Sequence, residues 1–384
     1  MEDSRATEVI NNTEEEILTK VEIADKNVNI TNNSEEVAET PTFTQADLDS
    51  MLELGKKYYY GTDVTRDYSE AVKMFTKGAL LGDIRAQFNL ANCYMNGEGV
   101  RQDYKKAVKW YTKAAEQGHA KSQNNLGLCY ENGKGVARDY NKAVYWFFQA
   151  VEQGHCGAQY NYGNCFFYGH GMVQSFKNAI DWYIKAMKQG DMRAQCKLGI
   201  CYENGYGVEQ DYKMAVQWYT KSANQGYAKA QSNLGICYSK GRGVKTDYEK
   251  AVYWYTKAAE QGYIKAQYNL GVSYFQGQGV DKDYDKVFYW FKKAAESGDI
   301  EAQFNLGVCY DQKRGVEKNC KKAVYWYKLA AKQGLKEAQF NLGCCYKDGQ
   351  GVERDEKKAL YWFNKSAERG YEKAIDALKG FNVV

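Results

Sequence analysis

Eleven cysteines and three histidines are the side chains of this 384-residue chain best suited to metal, redox or nucleophilic chemistry. Seven of the cysteines, Cys93, Cys129, Cys165, Cys201, Cys237, Cys309 and Cys345, fall on one register of 36 residues. A structural zinc site needs four ligands, and its usual sign is a close pair such as Cys-x-x-Cys. No such pair occurs, and one cysteine per 36 residues assembles no local ligand set. Packed helices lie about 8–10 Å apart, whereas a disulfide needs Cα atoms within roughly 7 Å. The spacing predicts small, buried, reduced thiols and no metal. His119, His155 and His170 are too few and too scattered for a metal site or a catalytic relay. Pairs such as Gly97-Glu98-Gly99 and Gly133-Lys134-Gly135 look like phosphate loops, but no strand precedes them and the third glycine is missing. They recur from copy to copy, as a turn must and a nucleotide loop need not. No cofactor is expected.

The same register runs through most of the chain. All eight tryptophans obey it (Trp110, Trp146, Trp182, Trp218, Trp254, Trp290, Trp326, Trp362), and so do nine glycines from Gly82 to Gly370. A fixed period of this length means stacked supersecondary units rather than one closed core. Nine copies begin at Ser50, Ala86, Ser122, Ala158, Ala194, Ala230, Ala266, Ala302 and Ala338, and a truncated tenth begins at Ala374. In the copy from Ala230, Leu234, Cys237 and Tyr238 recur at helical spacing and define a first helix, helix A. Gly241 supplies its left-handed stop, Gly243 the turn, and Val244 returns to the core. Asp247 caps helix B, whose apolar face is Tyr248, Ala251, Val252, Trp254, Tyr255, Ala258 and Ala259. Each copy is thus an αα-hairpin, and Trp218 reads as a core residue whose loss costs several kcal/mol.

The recurring Asn-Leu-Gly-x-x-Tyr, Gly-x-Gly-Val and Asp-Tyr-x-Lys-Ala-x-x-Trp-Tyr-x-Lys-Ala-Ala-x-x-Gly resembles the Sel-1-like repeat family, relatives of tetratricopeptide repeats. The resemblance covers about 50–384. It implies an all-α fold, a right-handed superhelical solenoid of nine 36-residue helical hairpins, and work as a protein–protein scaffold. Some members are linked to β-lactam hydrolysis, but Ser-x-x-Lys is absent here, as Ser222-Ala-Asn-Gln and Ser239-Lys-Gly-Arg illustrate. The first copy departs from the pattern at Asp63 and Met74, which suits a cap. The fourth departs at Tyr162, Phe166, Met172, Ser175 and Phe176, and the eighth at Lys313, Asn319 and Cys320. Those two are candidates for bends or contacts.

Asparagine stands four residues into seven copies, as Asn89, Asn125, Asn161, Asn233, Asn269, Asn305 and Asn341; Glu53 and Lys197 replace it in the others. It shares a helix-A face with the residue before the copy and with the third, seventh and tenth positions. The third varies strongly: Phe88, Asn124, Tyr160, Cys196, Ser232, Tyr268, Phe304 and Phe340. A constant scaffold with one variable face is the pattern of a binding surface, and in tetratricopeptide relatives helix A lines the concave groove. An asparagine ladder there would bond the main chain of an extended peptide, with aromatics supplying pockets. The alternative is that these amides bond neighbouring helices and hold the stack; both readings are open. The residue before the copy is basic at Arg85, Lys121, Arg193, Lys229 and Lys265, which with Lys197 points to acidic peptide segments. Lysines that only solvate outward faces are the competing reading.

Residues 1–43 hold eleven acidic and three basic residues, a net of −8 against +4 for the whole chain, so the remainder carries +12. Few large apolar residues and no helical or strand period mark this segment as a disordered acidic tail, one able to fold back on the groove. Structure is expected from Thr44, where Thr44-Gln-Ala-Asp47 fits a helix-start box with Phe43 just outside. No stretch approaches the ~20 apolar residues that span a membrane. The opening Met1-Glu2-Asp3-Ser4-Arg5 lacks a signal-peptide pattern, so a cytoplasmic location is expected, with the nucleus as the other option. The reading is a non-enzymatic adaptor for one or more protein partners. An RNA-binding helical array is the runner-up and a hydrolase a distant third; nucleic acid ranks low because the variable face is aromatic and apolar with isolated bases.

Overall fold

The computed structural model of the chain describes residues 43–380. Among them are 19 helices and no strand, and the chain divides at Asp191/Met192 into two units. Unit 1 holds four hairpins: α1 (Gln45–Tyr60) with α2 (Tyr68–Leu80), α3 (Ile84–Asn96) with α4 (Tyr104–Glu116), α5 (Ala120–Asn132) with α6 (Tyr140–Glu152), and α7 (Cys156–Tyr168) with α8 (Phe176–Lys188). Unit 2 holds five: α9 (Met192–Asn204) with α10 (Tyr212–Asn224), α11 (Ala228–Lys240) with α12 (Tyr248–Glu260), α13 (Ile264–Gln276) with α14 (Tyr284–Glu296), α15 (Ile300–Gln312) with α16 (Cys320–Lys332), and α17 (Lys336–Asp348) with α18 (Glu356–Ala367). A final helix, α19 (Glu372–Lys379), packs on α18. Within each unit every helix packs on its neighbours in sequence, so each unit is a stack of hairpins of the all-α solenoid class. Helix A starts two residues before the sequence-based boundary, at Ile84 rather than Ala86, and the closing helix at Glu372 rather than Ala374. The acidic segment read as disordered lies outside the described residues, except for Phe43, which packs on buried Met51.

Local chemistry sets each helix end. Thr44 and Asp47 form the expected reciprocal capping box, with Asp47 N donating to Thr44 Oγ1 at 3.3 Å and Thr44 N donating to Asp47 Oδ2 at 2.8 Å. Helix B is capped by aspartate, as where Asp247 Oδ1 accepts from Lys250 N at 2.9 Å. The departures Ser175 and Asn319 do the same work, accepting from Asn178 N at 3.3 Å and Lys322 N at 2.9 Å. They are substitutions within one capping role. His155 caps α7 through Nδ1, which accepts from Ala158 N at 3.1 Å. Lys313 takes the left-handed stop of α15 at φ 55°, where other copies place glycine; a side chain there costs about 1 kcal/mol.

Two glycine positions set how closely helices approach. The second loop glycine has positive φ and touches the start of the preceding helix B: a Cβ on Gly135 would sit 2.2 Å from the Tyr104 carbonyl oxygen. The helix-A glycine faces an aromatic ring, and a Cβ on Gly199 would lie 2.6 Å from Tyr219. That ring, one residue after the periodic tryptophan, is the centre of each core layer. Tyr111, Phe147, Tyr183, Tyr219, Tyr327 and Phe363 are all fully buried. The tryptophans are half-buried and lean on neighbouring core clusters, which corrects the reading of Trp218 as a buried core residue. Tyr248, placed on the apolar face by its spacing, is 39 % exposed. Six cysteines of the register are buried as expected and Cys345 is half-buried; burial pushes the Cys93, Cys165 and Cys237 thiols up to about 12.

The regular polar link between hairpins is made by glutamine. In unit 1, buried Gln123 donates to the Ala115 carbonyl at 3.1 Å and accepts from Gln153 at 2.8 Å, 30 residues on. The acceptor half recurs at Gln87, Gln159, Gln195, Gln231 and Gln303. It fails at Gln267 and Gln339, whose buried amide oxygens have no partner, because Ser297 and Arg369 stand where the second glutamine belongs. Ser297→Gln is therefore expected to stabilise unit 2 by about 1 kcal/mol, the net worth of one satisfied buried bond. Thermal unfolding measures it: a higher Tm is the expected result, and an unchanged Tm would show that Gln267 is not short of a partner.

Candidate protein-binding face

The helix-A face of unit 1 carries a hydrogen-bonded chain that crosses three hairpins. Asn161 Nδ2 in α7 donates to Asn124 Oδ1 in α5 at 2.8 Å, and Asn124 Nδ2 donates to Asn125 Oδ1 at 3.2 Å. Asn125 Nδ2 then donates to the Tyr111 hydroxyl at 3.3 Å, which donates to Asn92 Oδ1 in α3 at 2.5 Å. Every bond runs the same way, so each polarises the next. The chain ends in an unpaired amide N–H on Asn92 and an unpaired amide carbonyl on Asn161 among the described residues. Beside it, Asn92, Met95, Asn96, Asn125, Asn132 and Lys134 help line a cleft of about 320 Å³. Burial raises the Tyr111 hydroxyl far above its usual range, so it serves only as a neutral donor and acceptor.

The sequence-derived ladder is thus partly assembled. Asn125 and Asn161 belong to the chain, but Asn124 and Asn92, from the variable third and seventh positions, make its links. Asn89 is half-buried and outside it. In unit 2 the ladder positions do not bond one another. Asn305 Nδ2 donates to the Glu301 carbonyl of its own helix at 2.9 Å, and Asn233 Nδ2 reaches only Cys196 Sγ at 4.0 Å. Asn269 and Asn341 are half-buried, while Lys197 is buried at 6 % exposure. The third-position aromatics lean on the core rings beneath them: Phe88 on Tyr111, Tyr160 on Tyr183, Tyr268 on Phe291, Phe304 on Tyr327 and Phe340 on Phe363, with ring centroids 5.6–6.1 Å apart. They are walls rather than free pockets. In unit 2, Tyr268, Phe275, Asn305 and Arg314 frame a smaller cleft of about 210 Å³, with the Arg314 guanidinium 4.9 Å over the Phe275 ring.

The basic positions are unequal. Arg85 is held by Asp49 and Asp83, the latter at 2.7 Å, which neutralises it as an anion seat. Lys121 and Lys265 are exposed, and Arg193 and Lys229 are half-buried. No group of three or more His, Cys, Asp or Glu is arranged for a metal among the described residues. No described helix is long and apolar enough to cross a membrane.

The Sel1 repeat model matches nine times, at residues 48–83, 84–119, 120–155, 157–191, 193–227, 228–263, 264–299, 300–335 and 336–371. This chain belongs to the Sel1 repeat family. Its match to a protective antigen of uropathogenic Escherichia coli with an SLR fold is 38% identical, over 85% of this chain and 78% of that one, with a TM-score of 0.49. A Sel1 repeat protein from Oxalobacter formigenes is 35% identical over 64% of this chain and 96% of its own, with a TM-score of 0.58. A signal-transduction ATPase with a tetratricopeptide sensor from Pyrococcus horikoshii, 14% identical, covers 88% of this chain and 54% of its own at a TM-score of 0.52, a likeness of fold alone. The curated proteins give no match. Sel1 repeat proteins as a class are protein-interaction scaffolds, and their fold is typically non-enzymatic.

Proposed function

We propose that this Sel1 repeat protein is a non-enzymatic adaptor that holds an extended segment of a partner protein on its helix-A face, and that the polarised amide chain of unit 1 reads the segment's main chain. The supporting observation is the chain from Asn161 to Asn92, whose Asn92 end brings an N–H to an open cleft while its Asn161 end is buried. An extended peptide presents the complementary carbonyl, and side chains entering the cleft supply selectivity. Lys134 on the rim and exposed Lys121 favour an acidic side chain there. Arg85 adds little, being already paired.

Asn92→Asp isolates the claim. The carboxylate still accepts from Tyr111, so the core bond survives, but the free N–H is lost. Titrated with a linear peptide selected on the full chain from a random display library, the variant is expected to bind about tenfold more weakly, a difference of ~1.4 kcal/mol. Its Tm should stay close to wild type. Equal affinity for both proteins would overturn the assignment of Asn92 as the reading group.

A further inference from the structure

A row of tyrosines lies on helix B of unit 2 and takes no part in the amide chain of unit 1. Tyr253, Tyr289, Tyr325 and Tyr361 sit at one register position of α12, α14, α16 and α18, and each is 48–58 % exposed. Packing does not demand them. In unit 1 the same position holds Lys73, Lys109, Tyr145 and Asp181, and the first hairpin of unit 2 holds Gln217. Each ring of the row rests edge-on against the tryptophan that follows it, with centroids 4.8–5.1 Å apart, so it stands as a firm platform. Four consecutive half-exposed aromatic rings form a patch that a soluble surface seldom carries without use.

Charge beside the row is one-sided at α16. Helix α16 carries Lys321, Lys322, Lys328 and Lys332 and no acidic residue. In α12, α14 and α18 the lysine three residues before the tyrosine pairs with its capping aspartate, as Lys250 does with Asp247 at 3.0 Å. At α16 the cap is Asn319, which leaves Lys322 without a carboxylate. Lys257 and Lys293 lie 5.9 and 5.2 Å over the Tyr253 and Tyr289 rings.

We infer that this row is a docking surface for an acidic protein segment that interleaves carboxylates with aliphatic side chains. The aliphatic groups cover the tyrosine rings and the carboxylates meet the lysines of α16, where Lys322 lies 5.3 Å over the Tyr310 ring and has no carboxylate partner among the described residues. Polar phenol rims and edge-on rings suit branched aliphatic side chains, which are absent from nucleic acid. The chain's own Thr13–Lys26, with Glu14-Glu15-Glu16-Ile17-Leu18 and Val21-Glu22-Ile23, has this composition and supplies the probe.

The test is fluorescence anisotropy with a labelled synthetic Thr13–Lys26 peptide, titrated into the full chain carrying Glu14→Gln, Glu15→Gln, Glu16→Gln and Glu22→Gln so that its own segment does not compete. Saturable binding that weakens as salt rises is expected. Adding Tyr289→Ala and Tyr325→Ala should weaken it about tenfold, as for interface aromatics, whereas Asn92→Asp should leave it unchanged, which separates this surface from the amide chain. Equal affinity in the tyrosine variant overturns the inference. So does binding of an oligouridylate in place of the peptide, which would assign the row to nucleic acid.

Discussion

Gly135→Ala is expected to be among the most destabilising single substitutions in unit 1, at about 3 kcal/mol or more. Two independent costs add at this position. Its φ of +74° lies where an L side chain is strained by roughly 1–2 kcal/mol. The new Cβ would also lie 2.2 Å from the Tyr104 oxygen and 2.4 Å from its carbonyl carbon. Both are backbone atoms at the start of α4, so relief requires two hairpins to move apart rather than one side chain to turn. Gly118→Ala is the matched control: φ is +89°, but nothing lies within 4 Å of its Cβ. It should cost only the conformational share, about 1 kcal/mol. Urea unfolding followed by tryptophan fluorescence measures both, and equal losses would show that the carbonyl contact contributes nothing.

Tyr219→Ala should destabilise unit 2 by ~3–5 kcal/mol, the range for deleting a large buried aromatic ring. Tyr219 is fully buried against the Gly199 face, and its hydroxyl donates to Glu203 Oε2 at 2.6 Å. Burial and the Glu203 carboxylate both hold that hydroxyl protonated. Trp218→Ala removes a larger but half-exposed side chain with a lysine over its outer face, Lys221 at 4.4 Å, so its loss should be about half as large. The ranking Tyr219 above Trp218 is the test, again by urea midpoint. The reverse order would return the core to the tryptophans.

The architecture was legible because period, caps and stops are local. Asp247, Gly241 and Val244 each announce their task within one copy, and the structure places them accordingly. Which member of a Trp-Tyr pair is innermost was not legible, since both fall on the apolar stripe and only the approach of the Gly199 backbone separates them. The glutamine register carried a readable signal that was easy to pass over. The Gln123 register recurs in eight copies and the Gln153 register in six, against seven for asparagine, but a polar residue in a helix reads as solvated until its partner 30 residues away is seen. The candidate site was half legible. A repeat-wide asparagine register led to the helix-A face that carries the hydrogen-bonded chain, whereas the chain's links depend on Asn124 and Asn92, whose positions vary between copies. Arg85 looked available because Asp49, which neutralises it, lies 36 residues earlier.

Photo-crosslinking probes main-chain recognition in the unit 1 cleft. A benzophenone placed within the library-selected peptide reacts preferentially with nearby methionine, and Met95 lines the cleft beside Asn92. Mass spectrometry of the irradiated full chain is predicted to find the adduct on Met95, and to find it depleted in Asn92→Asp at the same peptide concentration. Adducts confined to unit 2 or to the helix-B surfaces, with Met95 unmodified, would show that the peptide does not lie in this cleft.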